Sequence, residues 1–323
     1  QALESDEHGS GNDAPGVVRN RARGRITIEA RGRCVHRQIS QRVVDVAKRA
    51  ANTVKRVRQE LGGKTPNVIL EDADFTKTGT GGVGQVFESC GEAVAAMSTD
   101  ERATLTNMTA ELGGFTGIVA PDAETVRFLR ERRGVDFHLE PWMRSDEGAA
   151  YAHTLRVDCA AVPPMVARPG DPGNGVALSQ VQAPVRVDIA YGGSCTAGKR
   201  EDFDHYHEVL RWAADRGLKV APHVQLFLQF GTTAVRDHCI AQGYLDAFEK
   251  VGARMLQPSC GACGNCGPGG SVSRDQVTVS AINRNFPGRG GPGQVWLASP
   301  PTVAASAIAG ELVSFETLRR RLG

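Results

Sequence analysis

The sequence predicts an α/β protein of layered α/β/α units, and three observations carry that prediction. Short strand-like apolar runs alternate with amphipathic helical ones along most of the chain. A length of 323 residues is more than one core usually takes, so two α/β domains are expected. A proline- and glycine-rich stretch near 145–185, with "VPPMVARPGDPGNGV" at its centre, reads as a long extended connection between them. The expected division is a disordered tail at 1–24, an α/β domain at 25–155 and an α/β/α domain at 156–323.

The elements follow in order. Residues 1–24 are polar and lack apolar periodicity. "RITIEARG" alternates Ile26, Ile28 and Ala30 with polar residues, as a strand does. From Gln41 to Leu61 apolar residues recur every three or four positions, which predicts a helix closed by Gly62-Gly63. "NVILED" reads as a strand, "TKTGTGGVGQV" as a glycine-rich loop and "CGEAVAAM" as a helix start. "STDERATLTNMTAELGG" is a helix capped by Ser98 or Thr99 and stopped at Gly113-Gly114, and "DAETVRFLRERRG" is a second capped helix. Beyond the connection, "VRVDIAYGG" is a strand running into a tight turn. "DFDHYHEVLRWAADRG" is a helix, "KVAPHVQLFLQF" a strand and "TTAVRDHCIAQGYLDAFEKVG" helical.

Composition excludes some functions. There is no long uncharged apolar stretch to span a bilayer and no basic-then-apolar leader, so the expectation is a cytoplasmic protein with no membrane partner. Net charge is only +2, but 14 Lys and Arg stand between Arg19 and Lys64 against Glu29, Asp45 and Glu60. Such a run is a solvated face or a nucleic-acid contact.

Eight cysteines, at 34, 90, 159, 195, 239, 260, 263 and 266, are too few for a disulfide scaffold in a chain this long. "SCGACGNCGPGG" spaces Cys260, Cys263 and Cys266 by two residues, which reads first as metal or redox chemistry. A zinc ribbon needs a second pair. A bacterial ferredoxin run needs a further cysteine where Gly270 stands. A thioredoxin-type pair opens a helix, which Gly264, Gly267, Pro268, Gly269 and Gly270 do not make. Cys195, in the Gly-Gly turn "YGGSCTAGKRED", could join Cys260 and Cys263 as three thiols on a [4Fe–4S] cluster, leaving one iron open as a Lewis acid.

These segments together resemble the aconitase superfamily, most of all the group of 3-isopropylmalate dehydratase large subunits and homoaconitase-like proteins. "GGSCTAGKRED" is similar to the family's Gly-Ser-Cys-Thr-Asn segment and "PSCGACG" to its Pro-Gly-Cys-x-x-Cys segment. "SAINRNFPGRGG", "VWLASPPTVAASAIAG", "GTGGVGQVFESCGEAV", "TLTNMTAELGG", "GIVAPD" and "RSDEGAAY" match in the same order. The resemblance covers 75–323 well, 25–75 loosely and 1–24 not at all.

The resemblance implies aconitase-type three-layer α/β/α domains, the family's second and third, without its first. It implies a [4Fe–4S] cluster on Cys195, Cys260 and Cys263, and leaves Cys266 an extra thiol, either spare in the loop or a ligand. It implies substrate-binding Arg284 and Arg289, flanked by Asn283 and Asn285, and a catalytic Glu88 that handles protons with a histidine. Asn107, Ser145 and Asp146 are expected to be structural. The implied activity is that of an iron–sulfur hydro-lyase large subunit, acting on a hydroxy di- or tricarboxylate such as 3-isopropylmalate, citrate or homocitrate. Implied partners are a small subunit or swivelling domain and an N-terminal domain. Two departures stand out: Ala197 replaces the family's asparagine, and none of the eight histidines lies in the family's His-Asp-His or Asp-Ser-His context. The chain alone is therefore expected to bind without turning over. The alternatives are a non-catalytic iron–sulfur sensor and a nucleic-acid binder using the basic 19–64 stretch.

Overall fold

The computed structural model describes residues 86–112, 114–151 and 153–323, with the backbone of two earlier strands at 25–31 and 57–62. The expected tail at 1–24, the "NVILED" strand, most of the glycine loop, most of the basic 19–64 stretch and Cys34 lie outside the described residues.

The first sheet has five parallel strands in the order β1-β5-β2-β3-β4. They are β1 (Arg25–Arg31), β2 (Val57–Gly62), β3 (Val86–Cys90), β4 (Thr116–Val119) and β5 (His153–Asp158). The helix expected to end at Leu61 is corrected at that end, because β2 occupies Val57–Gly62. There Val57, Gln59 and Leu61 alternate with Arg58 and Glu60, a two-residue period inside the helical one, and pairing with β3 and β5 selects it. Helices α1 (Glu92–Ala95), α2 (Thr99–Met108) and α3 (Ala123–Arg133) follow. Ser98 caps α2 through a reciprocal box with Glu101. The α-helix stops at Met108, before the expected glycines, and tightens into a 3-10 turn at Thr109–Leu112. Buried Arg102 ties α2 to Asp122, the cap of α3, through two hydrogen bonds of 2.7 and 2.8 Å.

The second sheet has seven strands in the order β10-β9-β8-β11-β12-β6-β7. These are β6 (Met165–Ala167), β7 (Gly175–Ala177), β8 (Ile189–Gly193), β9 (Gln225–Gln229), β10 (Arg254–Leu256), β11 (Val277–Ser280) and β12 (Gln294–Leu297). The stretch from β10 to β12 in that order is parallel, and β6 and β7 add an antiparallel edge. The proline-rich segment expected as a connection is therefore corrected to a hairpin. Its Met165–Ala167 triplet is buried, and Gly170, at φ 106, turns the chain so that Arg168 N–H reaches the Asn174 carbonyl at 2.7 Å. The first sheet's last strand runs to Asp158, and the second sheet begins at Met165.

Helices α4 (Ser194–Ala197), α5 (Arg200–Ala214), α6 (Thr233–Ala241), α7 (Tyr244–Val251), α8 (Pro300–Ala309) and α9 (Phe315–Leu322) complete this unit. Gly243, at φ 71, splits the helical stretch expected at 232–252 into α6 and α7. One sheet face, with Ala190, Leu226, Leu228, Val279 and Trp296, packs against α5 to α9 in the main core. Strand alternation sends Ile189, Tyr191, Phe227 and Val295 to the other face. Among the described residues Ala262 and Ile282, from the loops after β10 and β11, pack against that face.

Phe203 of α5 is fully buried, stacked on Phe230 at 4.9 Å and edge-on to Tyr206 at 5.6 Å. Phe203→Ala is predicted to lower unfolding free energy by about 3–5 kcal/mol in urea titrations. A loss below about 1 kcal/mol would show that this face is not the principal core.

Candidate functional site

Chain order in the second sheet runs from β8 outward through β9 to β10, then returns to β11 on the opposite side of β8 and out to β12. The β8/β11 boundary is thus a switch point, and parallel α/β sheets bind ligands in the crevice beyond the carboxyl ends of such strands. β8 ends in the Cys195 turn, β10 in the Cys260–Cys266 loop and β11 in the Asn283–Arg289 loop. The last two, 257–276 and 281–293, join strands without an α-helix, the first holding only a 3-10 turn at Ala262–Gly264, and a connection of that length is typical of a binding loop.

Glycines shape the Cys195 turn. Gly193 has φ 102 and lies so close to β9 that a Cβ would overlap the Gln229 carbonyl; at Gly192 a Cβ would stand 2.6 Å from the Tyr206 ring. Tyr206 accepts from Gly193 N–H at 3.0 Å and donates to the Ala197 carbonyl at 3.2 Å. Ser194 has φ 65, an uncommon conformation for a side chain of its kind, and is buried; Cys195, next in the chain, is exposed.

Gln229 ties the cysteine loop to the same place. It is 1% exposed. Its Oε1 accepts from the Tyr191 hydroxyl, and its Nε2 donates to the Ser259 carbonyl at 2.9 Å and to Ser259 Oγ at 2.8 Å. A Cβ on Gly261 would stand 2.5 Å from Gln229 Oε1 and 2.6 Å from the Tyr191 hydroxyl, so this loop must pass as bare backbone. Cys260 is exposed and Cys263 half-buried. Burial, and after it the charges of Cys263, Cys266 and Cys195, push the Tyr191 phenol above its ordinary range.

The first unit supplies the opposite wall. Asn107, at the end of α2, donates to Thr196 Oγ1 at 3.2 Å, beside Cys195. Glu111, in the 3-10 turn, accepts from Arg284 Nε at 2.6 Å and Asn283 Nδ2 at 3.2 Å. Its side chain is 7% exposed, and burial raises its carboxyl above the ordinary glutamate range even against the hydrogen bond and charge of Arg284 and the charge of Arg289. Arg289 Nε is buried without a protein partner among the described residues. Arg284 is therefore paired with a buried carboxylate that the charge of Arg289 also reaches.

Two expected site residues are placed differently. Asn285 is 2% exposed and gives its amide protons to the Arg168 and Val295 carbonyls at 2.8 and 2.9 Å, which pins the loop. Glu88, buried in β3, accepts from Ser145 Oγ at 2.7 Å and from the Tyr151 hydroxyl at 3.2 Å, partners that belong to the first unit. The site residues missed in the sequence are Glu111, Tyr191 and Gln229. Glu111 carried one signal: an acidic side chain at the end of a helix opposes the helix dipole, so a partner elsewhere is implied. Tyr191 and Gln229 carried none, since each acts by where it is buried.

Among the described residues no three Cys, His, Asp or Glu side chains stand close enough to share one metal ion. An iron–sulfur cluster makes a different demand, because its thiolates bind separate irons and stand farther apart. Soft thiols on glycine-lined backbone fit that group in chemistry. Cys159 and Cys239 are buried away from it, and burial pushes the Cys239 thiol up to about 12.

A mixed α/β sheet whose switch-point loops carry exposed thiols and a carboxylate-paired arginine defines the class. Residues 60–310 match the model of the aconitase family (aconitate hydratase), and the chain belongs to that family. It is 36% identical over 235 residues to 3-isopropylmalate dehydratase large subunit 2 of Rubrobacter xylanophilus, covering 72% of this chain and 53% of that one. It is 35% identical over 275 residues to large subunit 1 of Pyrococcus furiosus, with coverages of 83% and 62%. It is 38% identical over 242 residues to the chloroplastic large subunit of Arabidopsis thaliana, with coverages of 71% and 46%. The chain spans about half to three-fifths of the length of these relatives.

Gln229→Leu is predicted to orphan the buried Tyr191 hydroxyl, at a cost of about 1–3 kcal/mol, and to release Ser259 to solvent. Hydrogen exchange should speed up at residues 259–266 while α5 keeps its protection. Unchanged exchange in that loop would show that Gln229 does not hold it.

Proposed function

We propose that the chain is the cluster- and substrate-binding part of an aconitase-type hydro-lyase large subunit. The substrate is a hydroxy di- or tricarboxylate of the 3-isopropylmalate, citrate or homocitrate kind. The observation that carries this reading is Arg284 paired with buried Glu111, with Arg289 in the same loop and Asn107 tying the end of the same helix to the Cys195 turn. Cys195, Cys260 and Cys263 would hold a [4Fe–4S] cluster. Once bound, it would offer an open iron as a Lewis acid toward a hydroxyl or carboxylate oxygen.

The chain's own residues account for binding and positioning. A substrate carboxylate suits the guanidinium fork, which pairs with it bidentately. Asn283, half-buried next to Arg284, adds a neutral donor. Glu111 takes the proton-handling role first expected of Glu88, since a carboxyl raised by burial exchanges a proton nearer neutral pH. As substrate enters, Arg284 would turn from Glu111 to the incoming carboxylate, leaving Glu111 freer to accept a proton. Glu88 fixes β3 to Ser145 and Tyr151. Asn107 positions the Cys195 turn through Thr196. The similar proteins are named large subunits, and a small subunit or swivelling domain, with a further N-terminal domain, would complete the acid–base set.

Anaerobic reconstitution should give the broad visible absorption of thiolate–iron bonds. Cys195→Ser, Cys260→Ser and Cys263→Ser should each abolish it. Arg284→Lys and Arg289→Lys should keep iron content. Each should weaken isopropylmalate or citrate binding about 10- to 150-fold, the equivalent of one charged bidentate contact of about 1.5–3 kcal/mol. Equal affinity in wild type and both arginine variants would remove the substrate assignment.

A further inference from the structure

We propose that Cys266 is a fourth thiol ligand of the cysteine crevice, binding in the resting protein the iron that Cys195, Cys260 and Cys263 leave open. This rests on the cluster reading above and adds to it a residue outside the three-thiol set.

The loop is folded so as to bring Cys266 back. The Gly261 carbonyl, between Cys260 and Cys263, accepts from Gly264 N–H at 2.9 Å and Cys266 N–H at 3.1 Å, with Cys266 Sγ at 3.4 Å. The reversal is made at Asn265, which takes a left-handed φ of 56°, and is followed by Gly267 at φ 74°. A left-handed asparagine is held at some conformational cost, and here it returns the third sulfur to the backbone between the first two. Gly264 gives the space, since a Cβ there would already stand 3.9 Å from Cys266 Sγ.

The surroundings of Cys266 are those of a ligand thiol rather than a packing one. Cys159 and Cys239 are 0% exposed, Cys239 within the main core, whereas Cys266, like Cys195 and Cys260, is exposed. A Cβ on Gly261 would stand 2.6 Å from the Tyr191 hydroxyl and one on Gly269 2.5 Å from its ring, so the loop that carries Cys266 is folded against the strand that ends in the Cys195 turn. Two-residue spacing is also what lets three consecutive thiols of one loop reach a single cluster, and Cys195 would stand in for the remote fourth. On binding, Cys266 gives its thiol proton to water. A fully thiolate-bound cluster would be shielded from loss of its fourth iron, and an incoming carboxylate held by Arg284 and Arg289 would displace Cys266, whose thiolate would take a proton from water on leaving.

The test is native alkylation of anaerobically reconstituted protein with iodoacetamide, read by peptide mass spectrometry, alongside electron paramagnetic resonance after ferricyanide oxidation. The expected result is loss of labelling at Cys195, Cys260, Cys263 and Cys266 alike. Wild type should yield little three-iron signal, whereas Cys266→Ser, which keeps a donor toward Gly261, should form the same visible band and then lose one iron to a strong three-iron signal. Cys266→Ala should behave as Cys266→Ser does. Labelling of Cys266 at the rate of a free thiol, with the other three protected, would overturn the proposal and leave the three-thiol reading standing. Labelling of all four with no iron retained would overturn both.

Discussion

The site depends on one buried amide. Gln229 closes β9, and its backbone lies so near Gly193 that only glycine fits there. Its side chain then spans the crevice floor, holding Tyr191 of β8 with one end and Ser259 of the cysteine loop with the other. Loops after β8 and β10, two strands apart, are brought into one register by a residue with no chemistry of its own. A buried amide left half-satisfied is costly, so this arrangement favours a single geometry over a family of loop conformers.

The second constraint is the junction between the two sheets. α2 does not end where its glycines would end it; it tightens at Thr109–Leu112 and presents Glu111 to Arg284. Asn107 reaches Thr196 from the same turn, and Ser98, at the other end of α2, donates to Glu201 of α5. Cap and terminus of one helix thus grip the second unit on both sides of the Cys195 turn. The acidic residue at the helix end, unfavourable toward its own dipole, is compensated by the arginine it meets.

Much of this was legible in the sequence, and the limits have physical causes. Strand–helix alternation, the Gly-Gly-Ser-Cys turn and the thiol spacing are local signals, and the α/β class followed from them. The end of the 41–61 helix and the connection at 162–176 misled because their local patterns admit two readings: strand pairing decided β2, and burial of Met165–Ala167 decided the hairpin. Glu88 was expected in the site from the family resemblance and Asn285 from its place beside the arginines; in the fold Ser145, Tyr151 and two backbone carbonyls engage them. Glu111, Gln229 and Tyr191 are defined by contacts across 30 to 173 positions of chain, which no short window contains.

The central claim is that the β8/β11 crevice, assembled on Gln229, is where iron and substrate meet. Anomalous diffraction at the iron edge, from crystals of anaerobically reconstituted protein, locates the metal without any assumption about ligands. The account predicts iron density bounded by the Cys195 turn and the Cys260–Cys263 loop, facing Arg284. Iron found elsewhere in the chain, or a reconstituted protein with that crevice empty, would contradict it.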